Sequence, residues 1–218
     1  MSKYLIIGDT HEPYAHPKYL EHCCRVRDRV LPTAVYHAGD FYDFHASSFH
    51  TSDPDLFSAG KELDMAEQHA EKWYKEFPDM KIVIGNHDAI PARKAFEAGL
   101  SVKMVSDLND VFHTPLWTWQ DEYIIKGGRH HYWLKHSWPG KTISDGGTGG
   151  FSVIAGHVHS KAQIIWSQFP KHSTFSLQVG CGVNSKLAAF RYAKQDRRMS
   201  IMSCASIVDG EPQLHRMF

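Results

Sequence analysis

The sequence predicts a layered α/β protein in which two β-sheets pack face to face with helices outside. Three observations predict it. Residues 4–84 alternate short apolar, β-prone runs with segments of helical period. The rest of the chain is dominated by strand-like runs. The apolar runs of the first half each stop at a glycine followed by Asp or Asn, as Gly8-Asp9, Gly39-Asp40 and Gly85-Asn86. Polar residues at strand ends are where open α/β sheets place their sites.

The elements follow in order. Tyr4-Leu-Ile-Ile7 is a continuous apolar run and reads as a buried strand. Pro17 suits the first turn of a helix that runs to about Val30. Ala34 to Ala38 is a second strand. Asp53-Pro54 is expected to cap a long helix through roughly Phe77, because Leu56, Phe57, Leu63, Ala66, Ala70, Trp73, Tyr74 and Phe77 recur near helical spacing. Pro78 stops it, and Lys81 to Ile84 is a third strand. The resulting β-α-β-α-β order implies right-handed crossovers.

Pro91 to Ala98 is expected to make a short helix. Strands are then expected at Tyr123–Ile125, His131–Leu134, Phe151–Ala155, Ala162–Trp166, Thr174–Val179 and Ser200–Val208. Asp209-Gly210 is a turn signal that closes a C-terminal hairpin. Residues 139–150 hold five glycines without periodicity and read either as a surface loop or as a flap over a site. The length suits one domain spanning 1–218.

Lys+Arg and Asp+Glu both number 24, so the chain lacks the global basic field that dedicated DNA binders use. Histidine is the outlier at 16. The cysteines Cys23, Cys24, Cys181 and Cys204 have neither metal-type spacing nor a disulfide pattern, and read as reduced thiols. No apolar run approaches a membrane span. No leader is expected either, since its cleavage would remove the motif at Asp9.

Five histidines belong to motifs that carry chemistry: Asp9-Thr-His11, Gly39-Asp40, Gly85-Asn-His-Asp88, Lys135-His-Ser137, and Gly156-His-Val-His159. Asp, Asn and His are the donors that suit divalent transition metals. Asp9 and His11, two apart after a strand, share one side of an extended chain and suit one ion. Asp40 has two oxygens and suits a bridge between two ions. Asn86 offers a neutral amide oxygen, and His136, His157 and His159 arrive from the second sheet. Two divalent cations set against Asp9, Asp40 and a bridging hydroxide leave a net charge of about +1, which favours an anionic substrate such as a phosphate ester. Two metals acidify a bridging water and clamp an in-line displacement. His87 is then better used as an acid than as a ligand, with Asp43 holding its tautomer and Asp88 as a weaker candidate for that role.

These residues resemble the calcineurin-like metallophosphoesterase superfamily, whose pattern stands here as Asp9-Thr-His11, Gly39-Asp40-Phe-Tyr-Asp43, Gly85-Asn-His87-Asp88, His136 and Gly156-His-Val-His159. The resemblance covers residues 4 to about 180. It implies a four-layer αββα sandwich of two mixed β-sheets flanked by helices, with a dinuclear centre at the strand ends. It assigns Asp9, His11, Asp40 and His159 to one metal, and Asp40, Asn86, His136 and His157 to the other. His87 would be the acid, oriented by Asp43. Manganese is the expected ion in vitro; iron, zinc, nickel and cobalt also suit these ligands.

Departures narrow the substrate. The protein phosphatases of this superfamily place an arginine after the second aspartate, where this chain has Phe44 and then His45. Gly-Asn-His-Asp with Gly-His-Val-His is more similar to phosphodiesterases, and the compact size to small stand-alone phosphodiesterases of bacteria and phages. The expected compartment is therefore the cytoplasm, or the host cytoplasm for a phage-encoded chain. The expected substrate is a phosphodiester of nucleotide or nucleic-acid type. The alternatives are a phosphomonoesterase, a nuclease, or a protein-binding scaffold on the same fold, as in a related retromer subunit. His45, Arg93 and Arg129 are candidate substrate contacts, with a further basic run at Arg191, Lys194, Arg197 and Arg198. Trp117, Trp119, Trp133, Trp138 and Trp166 are aromatics suited to stack a base or, more simply, to pack core and rim.

Overall fold

A computed structural model describes residues 2–49, 55–127, 130–137, 151–184 and 199–218. Asp53-Pro54, Arg129, Trp138, the glycine-rich 139–150 and the basic run from Arg191 to Arg198 lie outside the described residues.

The strands β1 (Lys3–Ile7), β2 (Ala34–His37) and β3 (Lys81–Val83) run parallel in one sheet. Their connections hold the helices α1 (Tyr19–Val30) and α2 (Ala59–Glu76). A short parallel strand that the sequence did not reveal, β4 (Thr118–Gln120), extends the sheet beyond β3. It follows α3 (Ile90–Glu97) and α4 (Leu108–Val111). The second sheet comprises β5 (Glu122–Gly127), β6 (His130–Lys135), β7 (Ser152–Ala155), β8 (Gln163–Gln168) and β9 (Ser173–Gln178), in the order β5-β6-β7-β9-β8. The C-terminal hairpin of β10 (Ser203–Val208) and β11 (Glu211–Arg216) turns at Asp209-Gly210 as expected. It does not continue the second sheet. Instead β10 pairs antiparallel with β1, giving the first sheet the order β11-β10-β1-β2-β3-β4. Both sheets are mixed.

Strand alternation sorts the apolar residues into layers. Tyr4, Ile6, Tyr36, Val83, Ala205 and Ile207 face Leu134, Ile154, Phe175 and Leu177 between the sheets. Leu5, Ile7, Val35, Ile82 and Cys204 face the other way, onto Cys23 and Val26 of α1 and Ala66, Ala70 and Trp73 of α2. Val153 and Ala155 turn to the outer face of the second sheet, where Trp133 packs. The two mixed sheets, packed face to face with helices, make the α/β sandwich that the sequence predicts.

Boundaries differ from expectation at three starts: α1 begins at Tyr19, past Pro17, β10 begins at Ser203 and not Ser200, and α2 begins later than Asp53-Pro54 suggests. α2 starts after Ser58, whose extended backbone and Oγ, 3.4 Å from the Lys61 N–H, cap it. Leu56 and Phe57 therefore precede the helix, and Phe57 stacks on Tyr14 with ring centroids 6.2 Å apart. All four cysteines are free, and Cys23, Cys181 and Cys204 are buried. No described helix is long and apolar enough to cross a membrane.

Candidate metal centre

The parallel strands of both sheets deliver their C-terminal ends to one edge, and the motifs follow there. The turn after β1 carries Asp9 and His11, that after β2 carries Asp40, and that after β3 carries Asn86 and His87. β6 leads to His136, and β7 to His157 and His159. Three non-glycine residues in these turns, His11 (φ 51°), Asp40 (φ 51°) and His157 (φ 66°), have left-handed backbones. Such conformations cost roughly 1–3 kcal/mol each and persist where surrounding structure enforces them. Two glycines make room for carboxylates: a Cβ on Gly156 would fall on Asp9 Oδ1, and one on Gly85 on Asp40 Oδ1.

The side chains gather in three groups whose nitrogen and carboxylate atoms lie within 4.8 Å of one another: Asp9 with His11 and His159, Asp40 with His136 and His157, and His11 with Asp40 and His87. His159 Nε2 is 3.2 Å from Asp9 Oδ2. His136 Nε2 is 3.0 Å from Asp40 Oδ2, 3.0 Å from Asn86 Oδ1 and 3.2 Å from His157 Nδ1. Backbone amides complete the carboxylates: the His157 N–H donates to Asp9 Oδ2 at 2.7 Å, and the His87 N–H to Asp40 Oδ1 at 2.8 Å. His136 Nδ1 donates to the Ala38 carbonyl at 2.9 Å, which leaves Nε2 to face the carboxylates.

This donor set fits divalent ions. Two carboxylates, Asp9 and Asp40, are buried among imidazoles, where unpaired charge is costly. Asp9 Oδ1 is buried with no hydrogen-bond partner among the described residues. His11 Nδ1 is 2.6 Å from Asp43 Oδ1, so this nitrogen carries the hydrogen and Nε2 turns its lone pair toward Asp40 Oδ2, 3.5 Å away. Two electron-rich atoms facing each other in a dry site favour a cation between them.

The titrations point the same way. Burial opposes charge on Asp9, Asp40 and Asp43, yet all three are held below the usual carboxylate range, chiefly by His136 for Asp9 and Asp40 and by His11 and His87 for Asp43. Burial also opposes charge on His136, but Asp40 and Asp9 outweigh it and raise the ring to about 10. Burial pushes His11 below the ordinary histidine value, and partial desolvation together with the neighbouring His136 lowers His157.

His87 stands beside these groups. Its Nδ1 donates to the Asp43 carbonyl at 2.7 Å and lies 3.1 Å from Asp43 Oδ1. Burial lowers its pKa, but Asp43 and Asp40 outweigh burial and raise it to about 9.

The other expected residues have their own surroundings. Asp88 does not orient His87. Its buried carboxylate accepts from the N–H groups of Phe41 (3.3 Å), Tyr42 (3.0 Å) and Gly85 (2.9 Å), stapling the second motif to the third. His45 is buried (4% exposed), because the Glu62 carboxylate draws the His45 and Ala46 N–H groups inward, at 2.6 and 2.8 Å. Arg93 is exposed and sits over the Phe49 ring, 4.5 Å from its centroid, with Lys94 at 4.2 Å. Trp117 is core, while Trp166 is half exposed. The sequence reading missed His37 and Thr10, both fully buried beneath the centre. Their signal was polarity inside an apolar strand and turn, since buried polar groups are the informative exceptions.

A family model described as calcineurin-like phosphoesterase matches residues 2–182. No curated protein matches the chain. Among solved structures, an archaeal phosphodiesterase is 14% identical, with 99% of each chain covered and a TM-score of 0.51. A metallophosphoesterase from Sphaerobacter thermophilus is also 14% identical, with 100% of this chain and 88% of that one covered and a TM-score of 0.53. Vacuolar protein sorting 29 from Cryptosporidium parvum is 13% identical, covering 99% and 96%, with a TM-score of 0.49.

Proposed function

The chain belongs to the calcineurin-like phosphoesterase family, and from that premise we propose that it is a phosphodiesterase with a dinuclear centre, acting on a diester of nucleotide or nucleic-acid type. The observation that carries this reading is the convergence of two Asp–His trios, Asp9–His11–His159 and Asp40–His136–His157, at one edge of both sheets. Asp9, His11, Asp40 and His159 would hold one ion, and Asp40, Asn86, His136 and His157 the other. Bound divalent ions supply Lewis-acid chemistry, activating water and neutralising charge on the phosphoryl oxygens.

The chain's own residues do the rest. Asp43 fixes the Nδ1–H tautomer of His87 and, with Asp40, keeps that ring protonated to about pH 9. His87 is then an acid that gives its proton to the leaving oxygen as water displaces it in line at phosphorus. Asp9 and Asp40 are buried, so charge–charge interactions at these carboxylates are strong.

The diester preference rests on Phe44. It follows Asp43 directly and packs on Tyr42 and Phe112, at centroid distances of 5.7 and 6.3 Å. An apolar ring occupies the position where a guanidinium would offset the second charge of a monoester dianion. Among the described residues, the site carboxylates Asp9, Asp40 and Asp43 pair with histidines and with no lysine or arginine.

The test is a panel on metal-reconstituted protein: bis-p-nitrophenyl phosphate against p-nitrophenyl phosphate, then cyclic nucleotides and single- and double-stranded DNA. The expected result is a higher kcat/KM for the diester. A clear monoester preference with metals bound sinks the diester assignment, and no turnover of any phosphoester sinks the enzymatic one.

A further inference from the structure

The turns that carry Asp9, His11 and Asp40 touch each other through their backbones. The N–H groups of Thr10 and His11 both donate to the Asp40 carbonyl, at 3.1 and 2.9 Å. Both turns contain a non-glycine residue in the left-handed region, His11 and Asp40. Something must hold that geometry in place.

A buried side-chain relay runs beneath them. His37, the last residue of β2, is fully buried. The Gly39 N–H donates to its Nδ1 at 3.2 Å, so Nδ1 is an acceptor and the hydrogen of the neutral ring sits on Nε2. Nε2 faces Thr10 Oγ1 at 3.3 Å. Thr10 Oγ1 in turn donates to the Phe41 carbonyl at 2.9 Å. Every link has one donor and one acceptor. Burial pushes the His37 ring down to about 3, so it stays neutral at working pH and the relay keeps its direction. Thr10 separates Asp9 from His11, while Gly39 and Phe41 flank Asp40.

We propose that His37 is a positioning residue of the metal centre: its ring, bonded at one nitrogen to Gly39 and at the other to Thr10, locks the Asp9–His11 turn against the Asp40 turn and so sets the spacing of ligands on both. This rests on the metal-centre reading above and adds to it a residue that neither touches an ion nor faces substrate. Residues that orient ligands from behind typically contribute 10–100-fold in metal affinity.

The test compares divalent-metal affinity, by competition with a chromophoric chelator, in the wild-type chain and in His37→Phe, His37→Gln, Thr10→Val and the His37→Phe/Thr10→Val double variant, all at a temperature where each is folded. His37→Phe keeps the volume and loses both links. It should bind metal roughly 10–100-fold more weakly. His37→Gln keeps a donor toward Thr10 and should recover part of that loss. Thr10→Val cuts the same relay, so the double variant should bind little more weakly than either single one. If His37→Phe does not fold, Thr10→Val carries the test alone. Wild-type affinity in either folded variant overturns the proposal, because a merely structural histidine would change melting temperature and leave affinity alone. A wild-type chain that binds no divalent ion would instead remove the metal-centre reading, and this proposal with it.

Discussion

Asp43 Oδ1 lies 2.6 Å from Nδ1 of His11, so the carboxylate expected to serve the acid His87 also grips a candidate metal ligand. One side chain thereby fixes two imidazoles, since His87 Nδ1 is 3.1 Å from the same oxygen. The proposed acid function and the proposed metal affinity are therefore coupled through Asp43. Asp43→Asn should lower kcat and also weaken metal binding, by about 10–100-fold for the latter. Isothermal titration with the metal alone checks it. Unchanged affinity would mean that Asp43 serves His87 only.

Asp40 is expected to be shared between two ions. It lies 3.5 Å from His11 Nε2 and 3.0 Å from His136 Nε2, in contact with both trios. Asp40→Ala should therefore lose both ions together. Elemental analysis decides it: a full two-metal complement in the folded variant would falsify the bridging role.

His87 shares a group of donor atoms with His11 and Asp40, so its role as acid and not ligand is open to direct measurement. His87→Asn should retain the metals and lower kcat by about 10²–10⁴-fold on diesters with alkyl leaving groups. The loss should shrink for p-nitrophenolate, which needs no proton. Loss of metal from this variant would make His87 a ligand.

Gly156 has no space for a side chain, because Asp9 Oδ1 occupies it. Gly156→Ala should displace that carboxylate, cost about 1–3 kcal/mol in overpacking and weaken metal binding. Urea melts and metal titration read the two effects. A variant with wild-type stability and affinity would show that the β7 turn is free to move away from Asp9.

The chelated protein should show its own pH dependence. His87 and His136 are raised to about 9 and 10 by their carboxylate partners. A raised histidine stabilises the fold fully below its unfolded value near 6.5, and that contribution fades as pH rises through the folded value. The lowered carboxylates Asp40 and Asp43 contribute above about pH 4 and lose that contribution on acidification. Melting temperature without metal should thus decline from pH 6.5 toward 10, and on acidification too, first as the lowered histidines His11, His37 and His157 resist protonation below 6.5 and then as the carboxylates protonate below 4. A metal held by His136 would take over the proton's role there, so the alkaline decline should flatten in the loaded protein. A flat alkaline limb without metal would contradict the histidine–carboxylate pairing.

The family motifs and most of the scaffold are legible in the residue order. Apolar runs stopped by glycine predict β1, β2 and β3, and the residues after Gly8, Gly39 and Gly85 predict where the donors stand, because strand period and turn chemistry are local properties. The tertiary structure alone decided which donors meet. Asp9 and His159, 150 positions apart, come within 3.2 Å only because β1 and β7 lie in facing sheets. Nothing near Asp88 in the chain distinguishes a partner for His87 from a staple for the N–H groups of Phe41, Tyr42 and Gly85. The return of β10 to β1, the shared grip of Asp43 and the relay through His37 are likewise invisible in periodicity. Each is a hydrogen bond between distant segments, and its partner depends on how strands are ordered and how far the turns between them project, which local residue preferences do not encode.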